Sequence, residues 1–355
     1  MFHHAHGYRV TLQRTNWAFE DVPALLSYIG VIGSQIRSVT INVNNRCPLR
    51  CRHCSIGYSS KFRGDGRRID SSNLRNIIES IDPLTYDMIL LAGGEPSLDP
   101  SLIREAILAA KARGLLCAIV TAPIWAKNLD VADRFLRAIP GLDILIASYD
   151  SYHLEFLSID HYKIATSAAT KLGIPVCLHV TFTHLEEKSD LIGKVQSIRN
   201  SVFISSFQTV PVGNAAEPFN VKYEYFTAEN PEDLEKLPRG CLLGNVLVDE
   251  KHEVHGCCWS RTVAHSPFSV TNKHRDVKLA LETLENNQLF QAVRARGFIG
   301  ALTRRGQEAV LHRFQGRRFV NECDLCLAWM KERDSWIWKG FRSSSVPNSF
   351  PKETR

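Results

Sequence analysis

Six short runs rich in β-branched and aliphatic residues constrain the fold of this chain more than any other feature. They are Val39 to Val43, Asp87 to Leu91, Leu116 to Thr121, Leu142 to Ser148, Val176 to Phe182 and Phe203 to Phe207, with Gly, Pro and Asp at their boundaries. Helical stretches lie between them. One is Ser101 to Leu108, with Ser101 as the predicted cap and Gly114 as the stop. Near-continuous apolar strands separated by helices predict an α/β fold whose parallel sheet is covered by helices on both faces.

Cysteines are the second constraint. The chain has 10, and three stand in a C-x3-C-x2-C array of Cys47, Cys51 and Cys54, with His53 just before the last. About forty residues on, Gly93-Gly94-Glu95-Pro96 follows the apolar run Met88 to Leu91. A second group is Cys241, then Cys257 with Cys258 beside it, then the pair Cys323 and Cys326. With no export signal at Met1-Phe2-His3-His4, clustered cysteines point to metal or redox chemistry rather than disulfides, and the protein is expected to be cytoplasmic. Four thiolates suit either one fully ligated iron–sulfur cluster or tetrahedral zinc.

The first array and the Gly-Gly-Glu-Pro motif together resemble the signature of the radical S-adenosylmethionine (SAM) enzymes. The resemblance implies a partial (β/α)6 barrel of the TIM type, with chemistry at the C-terminal ends of the strands. It implies that Cys47, Cys51 and Cys54 hold a [4Fe–4S] cluster with one open iron for SAM, and that the reduced cluster cleaves SAM to a 5′-deoxyadenosyl radical. It implies a reducing partner such as flavodoxin or ferredoxin. Gly93 and Gly94 would let the backbone approach SAM, Glu95 would accept from its amino group, and Pro96 would fix the turn. His53 fills a position usually taken by an aromatic residue.

Ser148-Tyr149-Asp150-Ser151-Tyr152-His153, at the end of the fourth strand, resembles a Ser-x-Asp-x-x-His run of relatives with a second cluster domain. Ser148 is expected near SAM. Asp150 is expected either to face the substrate as a catalytic group or to cap the next helix. His179 and Thr181 share one face of the fifth strand, where His179 either lines the cofactor cavity or is a hydrogen-bonded core residue. Gln208 to Gly213 is similar to a motif that closes the barrel.

The second cysteine group resembles the twitch domain, a short form of the SPASM domain. That likeness implies a smaller C-terminal unit, a β-hairpin plus helix, in which Cys241, Cys257, Cys323 and Cys326 bind an auxiliary [4Fe–4S] cluster, two clusters in all. Asn245 to Val248 and Glu253 to His255 supply the hairpin; its turn, often Asp-Gly in that family, carries Lys251-His252 here. Cys258 is a candidate hydrogen-atom donor to a substrate radical, an alternative ligand or a small buried hydrophobe. Cys117 and Cys177, inside apolar runs, are expected in the core.

The expected organisation is an N-terminal extension over 1–38 with one helix from Val22 to Ile32, the barrel over 39–216, the auxiliary domain over 217–342 and a disordered tail over 343–355. A net charge of +6 concentrates in Lys61 to Arg68 and in Arg304, Arg305, Arg313, Arg317 and Arg318, either as a solvated surface or as a receiver for an acidic partner. Neither patch has the regular aromatic interleaving of a single-strand nucleic-acid platform, which disfavours nucleic acid, and no apolar run is long enough to cross a membrane. The expected reaction is oxidative modification of a ribosomally made peptide, by cross-linking or dehydrogenation. The alternatives are dehydrogenation or epimerisation of a sugar, aminocyclitol or other small intermediate, and a non-catalytic iron–sulfur or zinc protein.

Overall fold

The structure is a computed structural model. It describes residues 37–56, 66–195, 197–198, 202–217, 221–237, 245–257, 259–263, 266–270, 276–303 and 308–332. Cys241, Cys258, the stretch from Val22 to Ile32, and the tail lie outside the described residues.

In chain order the first elements are β1 (Ser38–Asn44), α1 (Ser71–Ser80), β2 (Met88–Gly93), α2 (Pro100–Ala112), β3 (Leu116–Thr121), α3 (Leu129–Ala138) and β4 (Ile144–Tyr149). They are followed by α4 (Ser151–Leu154), α5 (Ile159–Lys171), β5 (Val176–Phe182), α6 (Leu185–Val195) and β6 (Phe203–Gln208). Strands β1 to β6 pair in sequence order and in parallel, the arrangement expected of a partial βα barrel. Strands β1 to β5 are short and largely buried and β6 is partly exposed; the crossover helices cover one face of the sheet, not the two expected, because the other face turns into the barrel. The helix predicted from Ser101 begins at Pro100, with Asp99 at the cap position, and ends before Gly114, whose φ of 71° terminates it.

The two faces of the sheet bury different cores. Ile89, Leu91, Ile119, Leu145 and Val180 face the helices in the main core. Met88, Leu90, Leu116, Ala118, Ile144 and Cys177 form a separate apolar cluster on the inner face, with Ile146 and Phe203 against it. Because side chains alternate with period two, Ser148, His179 and Ser205 stand on that inner face one step nearer the C-terminal ends, above Ile146, Cys177 and Phe203. The barrel is thus apolar at its floor and polar at its mouth. Cys117 and Cys177 are core residues, as expected.

Beyond the barrel come β7 (Phe226–Thr227), β8 (Asn245–Val248), β9 (Val254–His255), β10 (Ser269–Val270), α7 (Val277–Glu285), α8 (Gln288–Thr303), α9 (Glu308–His312), β11 (Arg318–Phe319) and α10 (Glu322–Lys331). The predicted hairpin is β8 with β9. It adds to the barrel sheet: β8 pairs in parallel with the free edge of β1, giving the order β10-β9-β8-β1-β2-β3-β4-β5-β6. In its turn His252 takes φ 68°, the left-handed position that Gly fills in an Asp-Gly turn. Asp249 supports the turn by accepting from the Lys251 and Glu253 amides. A buried network ties the later helices to the barrel: Tyr86 donates to Glu285, and Arg294 grips the same carboxylate through both terminal nitrogens at 2.8 and 2.6 Å.

Candidate active site

The loop that carries Cys47, Cys51 and Cys54 leaves the C-terminal end of β1 and is pinned at both ends. At its start, Asn44 donates to the Glu95 carbonyl and to Asp99, and Arg46 pairs with Asp99 at 2.7 Å. Arg68 approaches the other oxygen of Asp99 at 3.1 Å. Asp99 stands at the cap position of α2 but makes no side-chain cap bond, because its carboxylate is spent on the loop. At the far end, the Asn214 amide donates to the Cys54 carbonyl, and its side chain donates to the Cys51 carbonyl at 3.2 Å. Gly213 sits at φ 58° so close that a Cβ would lie 2.3 Å from the Ser55 carbonyl oxygen. The run after β6 therefore closes onto the cysteine loop. The three cysteines are not joined in disulfides. Burial pushes the Cys47 thiol up to about 12, and Glu95, Cys54 and Cys51 add to the shift.

The Gly-Gly-Glu-Pro segment contacts the same loop. The Gly94 amide donates to the Asn44 carbonyl and the Glu95 amide to the Arg46 carbonyl. A Cβ on Gly93 would lie 2.3 Å from the Asn44 carbonyl oxygen, and one on Gly94 would lie 2.1 Å from that of Arg46. Both glycines are thus needed for close contact with the cysteine loop. Glu95 is likewise turned inward. It is buried, and its carboxylate accepts from the Ser97 amide, the Thr121 hydroxyl and the Ala122 amide at 2.9, 2.5 and 2.9 Å. Burial raises its pKa. Pro96 opens a short 3-10 turn after it.

Of the two roles expected for Asp150, facing the substrate or capping the next helix, the structure shows the cap. Asp150 is fully buried and caps α4, accepting from the His153 amide at 2.8 Å. Its second oxygen meets His153 Nδ1 at 2.7 Å and His53 Nε2 at 3.3 Å. Burial alone would raise the carboxyl pKa, but the two imidazoles hold it well below the usual range. Both histidines lie beside Cys51, with one ligand atom of each within 4.8 Å of its sulfur and of each other. Sequence reading noted His53 and His153 separately and missed that Asp150 joins them. The available signal was a polar residue at an aromatic position together with an Asp-x-x-His run.

On the inner face the register sets Ser148 beside His179 and His179 beside Ser205. His179 Nδ1 lies 2.8 Å from the Ser205 hydroxyl, and burial lowers its pKa, which favours the neutral imidazole. Thr181 follows on the same face. A cleft of about 310 Å³ beyond β5 and β6 is lined by His184, Glu186, Lys222, Tyr223 and Glu224.

Of the second cysteine group, Cys257, Cys323 and Cys326 are described. Cys257 follows β9, and the Trp259 amide donates to its sulfur. Cys323 and Cys326 are buried in the first two turns of α10, whose cap Asn321 accepts from the Cys323 and Asp324 amides and donates to the Gln208 carbonyl at the end of β6. Trp259 and Phe207 are ring neighbours at 6.2 Å. Segments from both cysteine-bearing regions thus reach the mouth end of β6. Of the basic residues, Arg313 and Arg317 pair with Glu332, Arg68 pairs with Asp99, and Arg318 covers Tyr225.

Comparison with known proteins bears on this arrangement. Residues 41–193 match the family described as the radical SAM superfamily. Among curated proteins, YydG of Bacillus subtilis (strain 168), named for peptide biosynthesis, is 20% identical over 269 residues, covering 74% of this chain and 82% of its own length. Among solved structures, anSMEcpe with bound AdoMet aligns at a TM-score of 0.49 and 11% identity, over 74% of this chain and 80% of that one. Methylornithine synthase aligns at 0.43 and 14% identity, over 58% and 63%. BtrN in complex with AdoMet and 2-DOIA aligns at 0.39 and 13% identity, over 76% and 89%.

Proposed function

From the premise that residues 41–193 are a radical SAM superfamily domain, we propose that the chain oxidatively modifies a ribosomally made peptide. The observation that carries the first half of this reading is the loop of three thiols outside any disulfide at the barrel mouth, fastened on one side by Asn44, Arg46, Gly93 and Gly94 and on the other by Asn214. Three thiol donors on one loop suit a [4Fe–4S] cluster with one open iron. With cluster and SAM bound, the cofactors supply reductive cleavage of SAM and a radical able to take a hydrogen atom from an unactivated carbon. The chain's own residues bind and orient. Asn44, Arg46 and Asp99 hold the loop, Glu95 stiffens the turn beneath it, and Ser148, His179 and Ser205 offer hydroxyls and a neutral imidazole on the inner face to a polar ligand. The apolar floor below them keeps water out.

The peptide reading is supported by the relative named for peptide biosynthesis and by the cleft with charges of both signs, which suits backbone and side-chain groups of a peptide. Cys257, Cys323 and Cys326, with Cys241, would hold the auxiliary cluster that accepts the substrate electron. A different ending is epimerisation, in which Cys258 returns a hydrogen atom.

Product mass in D2O separates the endings. Oxidation predicts a product about two mass units lighter than the substrate, turnover lost in the Cys323→Ala, Cys326→Ala double variant, and 5′-deoxyadenosine formation retained there. A product of normal mass carrying one solvent deuterium, with that uptake lost in Cys258→Ala, overturns oxidation.

A further inference from the structure

We infer that the turn from Asp150 to Glu155 is a clamp that fixes the cysteine loop through Arg52 and His53, with Asp150 as its positioning residue. The inference rests on the reading of Cys47, Cys51 and Cys54 as cluster ligands. The contacts that carry it all join the same two short segments. Asp150 Oδ2 meets His53 Nε2 at 3.3 Å. The Tyr152 ring stacks on the His53 imidazole with centroids 4.6 Å apart and planes 18° from parallel. The Arg52 guanidinium lies over the other part of the turn, 5.4 Å from the Tyr152 centroid, and pairs with Glu155. His153, held by Asp150 at 2.7 Å, meets His53 edge-on at 5.2 Å and has a ring nitrogen within 4.8 Å of the Cys51 sulfur.

The chemistry explains the pairing. A carboxylate accepts only, so each imidazole nitrogen facing Asp150 donates to it, and one oxygen orients two rings at once. A buried carboxylate is costly unless every lone pair is used, which gives Asp150 a strong preference for the geometry in which both histidines are seated. His53 lies between Cys51 and Cys54, so seating it fixes the backbone that carries two of the three thiols. An aromatic residue at position 53 could stack on Tyr152 but could not be held by Asp150. The His in the cysteine array and the Asp-x-x-His run a hundred residues later are therefore one device. Partners one step behind metal ligands typically alter metal affinity 10- to 100-fold when lost.

The test is a double-mutant cycle on the full chain, reconstituted anaerobically, with chelator-driven iron loss from the SAM-responsive cluster followed by electron paramagnetic resonance. Asp150→Asn keeps an oxygen to cap α4 and removes the charge. His53→Phe leaves α4 untouched and keeps the stack on Tyr152. Each single variant is expected to release iron about 10-fold faster than the parent and to change the resonance of the SAM-bound cluster. The double variant is expected to be little worse than Asp150→Asn alone, because both changes break the contact between Asp150 and His53. Iron release at the parent rate in both single variants, or fold-changes that simply multiply in the double variant, would overturn the clamp while leaving the cluster assignment standing. A parent chain whose SAM-responsive cluster survives replacement of Cys47, Cys51 and Cys54 would overturn the assignment itself, and the clamp with it.

Discussion

At the scale of single residues, the glycines of the Gly-Gly-Glu-Pro segment make the sharpest case. A methyl on Gly94 would fall 2.1 Å from the Arg46 carbonyl oxygen and 2.7 Å from the Arg46 nitrogen, both backbone atoms that cannot swing aside. Gly94→Ala must therefore push the cysteine loop away from β2. We expect the variant to fold, because the clash lies at the mouth and not in the core, but to lose about half of its reconstituted iron, one of two clusters. Iron analysis beside circular dichroism checks this, and full iron content in Gly94→Ala would refute it. The motif was legible in sequence, yet its immediate reason was not. The contact is backbone to backbone across the parallel pair β1 and β2, and nothing in residue type announces it. Asp99 was invisible for a related cause: its position reads as an ordinary helix cap, whereas its partners Asn44, Arg46 and Arg68 come from elements remote in sequence.

Elements extend the same lesson. All six barrel strands were readable because each buries aliphatic residues between Gly, Pro or Asp boundaries, and β3 and β5 have the predicted ends. The hairpin was readable too, but not its place. The addition of β8 to the open edge of β1 depends on backbone hydrogen bonding at a long sequence separation, which alternation of residue types does not encode. The grip of Glu285 on Arg294 was also hidden. Arg294 is only 8% exposed, so removal of its partner leaves a buried, unpaired charge. Glu285→Ala is expected to cost about 3 kcal/mol in urea unfolding, with Tyr86 losing its acceptor as well. The pH dependence has a definite sign. Burial would raise the Glu285 pKa, but Arg294 outweighs it and the folded value lies below the ordinary 4.5. The stabilisation is therefore complete above about pH 4.5 and is lost as pH falls through the folded value, so the parent and Glu285→Ala should converge in acid. A gap that widens in acid would contradict the assigned pair.

For the molecule as a whole, the cysteine loop is where separate parts of the chain meet: β1 carries it, the Gly93-Gly94 turn and Asp99 hold one end, Asn214 the other, and the Asp150 turn its middle. No helix among the described residues is long and apolar enough to cross a membrane. The most direct measurement is anaerobic reconstitution of the parent and of the Cys47→Ala, Cys51→Ala, Cys54→Ala triple variant, each assayed for iron and for 5′-deoxyadenosine formed from SAM with dithionite. The account predicts about eight irons and SAM cleavage for the parent, and about four irons with no cleavage for the triple variant. A triple variant that keeps its full iron and still cleaves SAM would contradict it.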